Sequence, residues 1–501
     1  MRGIPSLITD IRKKVFTEVA RMAYSGEGYG AAEELPYIIV PGDQPLHRES
    51  VFLERAIASE RVRLAMGLNL RPIQTRHLMT EGMDHAAIAE QYYEPPLINI
   101  IPYACHACPT NQYRVTENCQ NCLAASCQKV CPRGAISFVN GKSCIDQEKC
   151  IKCGKCATAC PYNAIIHMER PCQAACGMDA IGSDEHGRAV INQDKCVSCG
   201  QCLVSCPFGA IADKGQIYQL IQSILKGDQV IAIVAPAFIG QFGKHSTPEK
   251  FISAMKVLGF DRVVEVAVGA DMCTIEEAKD FLEKVPAEQP FMATSCCPAW
   301  HSMVHKLFPA QSKNISMTLT PMVFTARLMK KKYPGCKVVF VGPCAAKKLE
   351  AIRADIRSDV DFVLTFEELQ GMFEAKEVNF DTIEPSEAMN EGTAAGRGFA
   401  VSGGVAQAVT NLIHQTNPDL EIKTARAEGL RECRKLMTLA KVGKYNGYLL
   451  EGMACPGGCV AGAGTLLPVD LAVKVVGKYQ DEANQSSPLE SPYRDEGHHL
   501  D

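Results

Sequence analysis

No run of about 18 apolar residues occurs anywhere in the 501-residue chain, so no helical membrane span is expected. An excess of positive charge is also missing. Fifty-two Lys and Arg stand against 56 Asp and Glu, a net charge of −4. A nucleic-acid scaffold normally carries a basic stripe, so the balance argues against that class, and nothing calls for a membrane surface. The chain starts without a secretory leader. Its first residues, MRGIPSLITDIRKKVFTEVARMAY, alternate charged and apolar groups at helical spacing, which is an amphipathic helix and not an apolar h-region. Residues 1–100 contain no cysteine. They read as helices around 6–24, 48–66 and 84–92, joined by the Pro- and Gly-bearing stretch YIIVPGDQP. Their expected role is to pack on the rest of the chain.

What the chain has in abundance is cysteine: 25 residues, of which 17 fall between 105 and 206. Disulfide scaffolds this rich in cysteine are short and secreted. A long chain with an odd count and no leader reads instead as cytoplasmic, where clustered thiols are metal ligands. Hydrophobic residues make up 47% and charged residues 22%, an ordinary globular composition, and the length suggests roughly three domains.

Two stretches match closely, CIKCGKCATACP at 150–161 and CVSCGQCLVSCP at 196–207. Both read CxxCxxCxxxCP, through Cys150, Cys153, Cys156 and Cys160 and through Cys196, Cys199, Cys202 and Cys206. This spacing wraps three thiolates around one cubane and sends the fourth to a neighbouring cluster. Zinc would prefer two separated CxxC pairs. Cys131, Cys160, Cys176 and Cys206 each open a C-x-x-x-A-I unit, CPRGAI, CPYNAI, CGMDAI and CPFGAI, which suggests two ferredoxin-like folds in tandem. Upstream, Cys119, Cys122, Cys127 and Cys131 form a slightly stretched motif. Cys105 and Cys108 make a further CxxC, and Cys172 stands four before Cys176. Sixteen cysteines would serve four 4Fe–4S clusters and leave Cys144 over, so three or four clusters are expected. The pairing stays open. Cys119, Cys122, Cys127 and Cys160 could hold one cluster and Cys150, Cys153, Cys156 and Cys131 the next, or the two perfect motifs could cross-ligate each other around an insertion.

From about 228 the pattern becomes α/β. VIAIVAPAF, RVVEVAVGA, KVVFVGP and GYLLEGMA are short apolar runs suited to a covered parallel sheet. TPEKFISAMKVLG and TIEEAKDFLEKV read as the intervening helices. The expected organisation is a helical region (1–100), a ferredoxin-like iron–sulfur module (101–215), an α/β catalytic domain (228–478) and a polar, mobile tail (479–501).

Three segments in this last domain carry a resemblance: TSCCPAW at 294–300, GPCAAKKLE at 342–350 and EGMACPGGC at 451–459. Together, in this order and behind a ferredoxin module, they resemble the signature segments of the [FeFe]-hydrogenases over about residues 145–470. The resemblance implies reversible interconversion of dihydrogen with protons and electrons. It implies an H-cluster, a 4Fe–4S cubane joined to a two-iron unit carrying CO, cyanide and azadithiolate. By position, Cys297, Cys344, Cys455 and Cys459 would hold the cubane, with Cys459 as the bridge. Cys296 would be free of metal and act as first proton donor and acceptor. Glu277, Ser316 and Asp280 would continue the proton route, with Asp280 where a glutamate is usual. Lys347 would donate to a cyanide, Ala235 and Pro236 would face the other, Met453 would lie against a carbonyl, and Phe399 would form a wall.

The sequence also departs from the family pattern. Gly342 replaces the usual methionine before Pro-Cys, Ala299 and Ala463 replace glycines, and Met322 stands where glutamine is common. These changes resemble a divergent, group B-like branch. Cys273 and Cys336 are unassigned, and Cys273 reads as a core thiol. The resemblance further implies ferredoxin or a similar carrier as electron partner and dedicated maturation proteins for the two-iron unit. The alternatives are a Narf-like cluster protein without hydrogenase activity, or a hydrogen-sensing relative. The first would lack Cys296, Lys347 and Met453, and the second would carry a downstream signalling domain.

Overall fold

The computed structural model describes residues 4–86 and 94–500. It opens with the expected amphipathic helix, Leu7–Ser25. Ser6 caps it by accepting from the Thr9 N–H, and Gly26 ends it at φ +76°. Val15, Phe16, Val19 and Ala23 on its inner face are buried in one cluster with Leu220, Phe366 and Leu369. The lead-in therefore shares the core of the C-terminal domain instead of standing apart. Arg12 on this helix reaches Asp213 at 3.6 Å and pairs with Glu367, tying three regions together. A second helix spans Val51–Ala65. The third begins as Met83–Ala86, and the remainder of that expected helix lies outside the described residues. YIIVPGDQP opens inside the short helix Leu35–Ile39.

The cysteine-dense region is two ferredoxin-like folds, one nested in the other. The outer fold pairs Ile98–Ile100 with Ile211–Asp213 and Ile181–Ser183 with Ala189–Ile191, both antiparallel. The inner fold pairs Gln112–Val115 with Ile165–Met168 and Ile136–Val139 with Lys142–Ile145. The strand Ile98–Ile100 thus brings the start of this region back before residue 101.

The C-x-x-x-A-I repeat has a physical basis that accounts for its variable positions too. The residue third after each cysteine takes the left-handed conformation: Gly134 at φ +58°, Asn163 at +49°, Asp179 at +51° and Gly209 at +59°. Gly, Asn and Asp tolerate that region best. The turn then aims the alanine N–H back at the cysteine sulfur, 3.3–3.4 Å away in all four units. The isoleucine that comes next is buried each time.

The C-terminal domain holds a four-stranded parallel sheet in the order Arg262–Glu265, Val230–Val234, Lys337–Gly342, Phe362–Thr365. A three-stranded parallel sheet lies in the order Met292–Ala293, Tyr448–Met453, Lys423–Glu428. Strand Val230–Val234 is buried at every position, as expected for a sheet covered on both faces. One apolar run differs from its expected form. Only the first four residues of RVVEVAVGA are strand, and the helix Ala267–Lys284 starts within it. A short β-branched run, buried from Val264 onward, gives no period to tell strand from helix.

The end of the chain also departs from expectation. The last helix runs Val469–Asp481, and the segment beyond it is packed, not a mobile tail. Ser487 and Ser491 are buried, Leu500 and Tyr493 join a core cluster, and the Leu500 carbonyl accepts from Arg327 at 2.6 Å. A few anchors and a Ser487–Glu490 capping box fix a segment whose composition is otherwise polar. Among the described residues no helix is long and apolar enough to cross a membrane.

Candidate functional site

Parallel sheets gather chemistry at the carboxyl ends of their strands, and here four strands deliver to one place. Val230–Val234 leads to Ala235 and Pro236, and Met292–Ala293 leads to Cys296 and Cys297. Lys337–Gly342 leads to Cys344, and Tyr448–Met453 ends at Met453, two before Cys455. Cys296, Cys297, Cys344, Cys455 and Cys459 all line a single cavity of about 90 Å³, together with Ala235, Pro236, Lys347, Phe399 and Met453. Three segments far apart in sequence thus converge on one cavity. Gly452 is required by packing: a Cβ there would lie 2.2 Å from the Trp300 ring.

Two of the departures from the family pattern line this cavity. Met322, wholly buried, and Ala299 line it. Phe340 occupies the space at Gly342, where a Cβ would come within 2.5 Å of its ring. Phe340 was not singled out from the sequence, because only the fold reveals that residues two apart on one strand share this space.

Burial dominates the electrostatics. It pushes the Cys344 thiol up to about 11 and Cys459 to about 12, while Cys296 is raised well above its ordinary value by burial and by the charge of Glu277. Buried thiols that resist ionisation alone are deprotonated readily by a thiophilic metal. Lys347 is buried beside them. Desolvation works against its charge, but Glu350 at 2.6 Å and the neighbouring thiols outweigh it, and its pKa is raised. Its ammonium also donates to Thr320 Oγ1 at 3.2 Å, and Thr320 donates to Glu350 at 2.6 Å. Thr320 was missed in the sequence, and Glu350 appeared there only inside a motif.

Glu277 is fully buried, and desolvation lifts its carboxyl to about 7. Its Oε1 accepts from the Ser295 N–H at 3.0 Å and from Ser295 Oγ at 3.3 Å. Ser316, buried, accepts from the Thr318 N–H at 3.2 Å, and Asp280 pairs with Lys284 at 3.0 Å one turn along the Glu277 helix. The hydrogen bonds therefore join Glu277 to Ser295, not to Ser316 or Asp280. Cys273 is buried in the same core cluster that Cys296 borders, in keeping with a core thiol. Cys433, unassigned from sequence, is buried and donates from Sγ to the carbonyls of Ala427 and Met453 at 3.6 Å.

The nested folds settle which cysteines of the outer fold are neighbours. Cys105, Cys108, Cys172 and Cys206 line one small cavity. Cys176 lies close enough to Cys196, Cys199 and Cys202 that its thiolate would raise all three. The fourth cysteine of motif 196–206 thus lies with Cys105, Cys108 and Cys172, apart from motif 150–160. In the inner fold Cys127, Cys131, Cys150, Cys156 and Cys160 border one core, and Cys119 accepts from the Ser143 N–H at 3.4 Å. Cys122 and Cys153 lie on the same loops, and Cys144 is exposed. Cys199 also lines the five-cysteine cavity, and Gly200 beside it packs against Ala463 so closely that a Cβ would come within 2.4 Å.

Comparison with known proteins defines the class. Residues 228–463 match the model described as iron only hydrogenase large subunit, C-terminal domain. Residues 145–165 match a 4Fe–4S binding domain, and 166–217 match the LdpA Fe–S cluster-binding domain. Residues 228–463 are thus similar to the C-terminal domain of an iron-only hydrogenase large subunit, and they follow regions that match iron–sulfur-binding domains. More particularly, the chain is 29% identical over 428 residues to iron hydrogenase 1 of Clostridium pasteurianum, covering 74% of this chain and 73% of that one. It is 28% identical over 284 residues to a probable cytosolic Fe–S cluster assembly factor of Aedes aegypti, covering 45% of this chain and 58% of that one. An apo [FeFe]-hydrogenase from Chlamydomonas reinhardtii superposes with a TM-score of 0.46 at 24% identity, over 54% of this chain and 88% of that one.

Proposed function

We propose that the chain is a hydrogenase, interconverting dihydrogen with protons and electrons at an H-cluster held in the five-cysteine cavity. The observation that carries this reading is that Cys296 and Lys347 line the same cavity as the four cysteines. A cubane alone needs four thiolates. The further thiol of Cys296 and the buried ammonium of Lys347 are what a group bound beyond the cubane would use.

The donor set fits such a group. Cys297, Cys344, Cys455 and Cys459 would hold the cubane, soft ligands for a soft cluster. Ala235, Pro236, Phe399 and Met453 would enclose the two-iron unit and exclude water, and Lys347, fixed by Glu350 and Thr320, would present N–H groups to its anionic ligands. When bound, that unit supplies the open low-valent metal site that dihydrogen chemistry requires. The chain's own residues handle the protons. Cys296 would exchange a proton with the site, and Glu277, poised near neutrality, would take it on. Ser295 orients the Glu277 carboxyl, and Ser316 and Asp280 would serve further out.

Electrons would travel through four 4Fe–4S clusters. Cys176, Cys196, Cys199 and Cys202 would hold the one nearest the cavity, and Cys105, Cys108, Cys172 and Cys206 the next. By the same arrangement Cys131 would complete Cys150, Cys153 and Cys156, and Cys160 would complete Cys119, Cys122 and Cys127. A ferredoxin-like carrier would exchange electrons with this relay, and maturation proteins would build the two-iron unit.

The likeness to a cluster assembly factor supports a second reading, a cluster-binding protein without hydrogen chemistry. A viologen-driven hydrogen assay on anaerobically matured protein separates the two. Evolution that collapses in Cys296→Ala while the iron content holds is expected. No turnover in the matured wild type would leave the second reading.

A further inference from the structure

We propose that the inner ferredoxin-like fold carries the electron port of this chain, a cationic and apolar patch around Cys153 that docks an acidic one-electron carrier protein. The inference rests on the reading of Cys131, Cys150, Cys153 and Cys156 as ligands of one cluster. All the cysteines lie among the described residues. Of the sixteen assigned to clusters, Cys153 is the one whose side chain is exposed. Electrons cross between proteins only where two centres approach closely, so an exposed ligand marks a point of entry.

The surroundings of Cys153 define the visitor. Ile151, 53% exposed, and Lys152 precede it, and Lys155 follows. Cys131, on the same cluster, brings the exposed Arg133 with it. The short helix Ser126–Lys129 packs on Lys155–Thr158, which adds Lys129 and Val130. Lys129, Arg133, Lys152 and Lys155 have no ion-pair partner among the described residues, whereas Lys142 and Lys149 are paired with Glu117 and Asp146. From Gln112 to Met168 there are seven Lys and Arg against three Asp and Glu, in a chain whose net charge is −4. Bound clusters bring negative charge of their own, but they lie beneath these side chains. The patch therefore suits a partner that surrounds its own redox centre with carboxylates. Charge of this kind acts chiefly on the rate of encounter and its salt dependence. Ile151 and Val130 offer the apolar contact that lets the two centres close up. A second copy of this chain would set like charge against like. In the transfer, the carrier's reduced centre loses one electron as the cluster gains one, with no bond made or broken and no proton moved.

The test mixes the full chain, with its clusters reconstituted, against a reduced acidic 2Fe–2S ferredoxin in an anaerobic stopped-flow. Cluster bleaching is followed as ionic strength is raised, with calorimetric binding of the same ferredoxin alongside. The expected result is a rate that falls steeply with salt. In the Arg133→Glu/Lys155→Glu variant both rate and affinity fall on the order of tenfold, while reduction by methyl viologen is unchanged. Wild-type behaviour of that variant with the ferredoxin would overturn the proposal, as would a salt-independent rate or faster reaction with a basic carrier. Salt-sensitive self-association abolished by the variant would assign the patch to a second copy instead and overturn it too. Because bleaching is read without hydrogen, the port can stand while the hydrogenase reading fails, and the reverse.

Discussion

Gln201, on the short helix that carries Cys202, donates its Nε2–H to the sulfur of Cys455 at 3.1 Å. The two residues belong to different domains, and the bond spans the junction between the nearest accessory cysteines and the five-cysteine cavity. Hydrogen bonds to cluster sulfurs are among the levers that set reduction potential. One such bond is worth about 1 kcal/mol, on the order of 40 mV for a one-electron couple. Gln201→Leu is therefore expected to lower the potential of the cubane bound through Cys455 by roughly that amount. Redox titration followed by electron paramagnetic resonance reads it, and an unchanged potential would remove this bond from the account.

Cys296 and the four thiols beside it should separate cleanly. Cys296→Ser leaves every proposed ligand in place, so iron content and cluster spectra are expected to hold while hydrogen turnover falls by about 10²–10⁴, the scale of a lost general acid–base. Cys455→Ala is expected to lose iron as well as activity, measured by metal analysis of the purified protein.

Glu277 gives a pH signature. Burial raises its carboxyl to about 7 from an unfolded value of about 4.3. A raised acid favours the folded state fully below its unfolded pKa, and that contribution is lost as pH rises through the folded one. Stability should therefore decline between about pH 4.3 and 7, by on the order of 1–3 kcal/mol from this group. Asp271, also raised to about 7 by burial, adds a parallel share. Glu277→Gln is expected to remove only its own part of the slope in denaturant unfolding across this range. It should also abolish hydrogen turnover without loss of iron.

Gly200 and Ala463 make one close contact between the cysteine-dense region and the C-terminal domain. Gly200→Ala would drive a Cβ to within 2.4 Å of the Ala463 methyl from a backbone at φ +74°. Overpacking of this kind costs about 1–3 kcal/mol. Thermal melts should show it, and Ala463→Gly added to it should recover the steric part while the strain of the left-handed backbone remains.

Lys347 and Lys348 are adjacent in sequence, yet they serve different ends of this junction. Lys348 is fully buried and pairs with Asp213 at 2.7 Å and Glu368 at 2.9 Å. Lys348→Met would strand those carboxylates, and breaking a buried ion network costs about 3–5 kcal/mol. Chemical denaturation is expected to show that loss, with the cavity-lining residues untouched.

Much of this was legible in the sequence because ligand spacing is local. The CxxCxxCxxxCP motifs fixed the kind of cluster, and the C-x-x-x-A-I units, with Gly, Asn, Asp and Gly at the left-handed position, held the turn geometry in plain view. The convergence of Cys297, Cys344, Cys455 and Cys459 was reached through resemblance. Long-range pairing was not legible. Nothing in the spacing of Cys206 says that its neighbours are Cys105 and Cys108, because one fold is inserted in the other and the strand Ile98–Ile100 that closes the outer one is only three residues long. Ser295, Thr320 and Phe340 were missed because a hydroxyl or a ring on an apolar run gains meaning only from what it faces. The tail was misjudged on composition, which does not weigh a few well-placed anchors such as Tyr493 and Leu500.

The measurement that bears most directly on the central claim is infrared spectroscopy of the protein after anaerobic supply of a synthetic two-iron complex to the cubane-loaded chain. The account predicts CO and cyanide bands that stay with the protein through desalting, shift under hydrogen and change in Lys347→Ala. Intact 4Fe–4S signals with no such bands would contradict it, and the five-cysteine cavity would then hold a cubane alone.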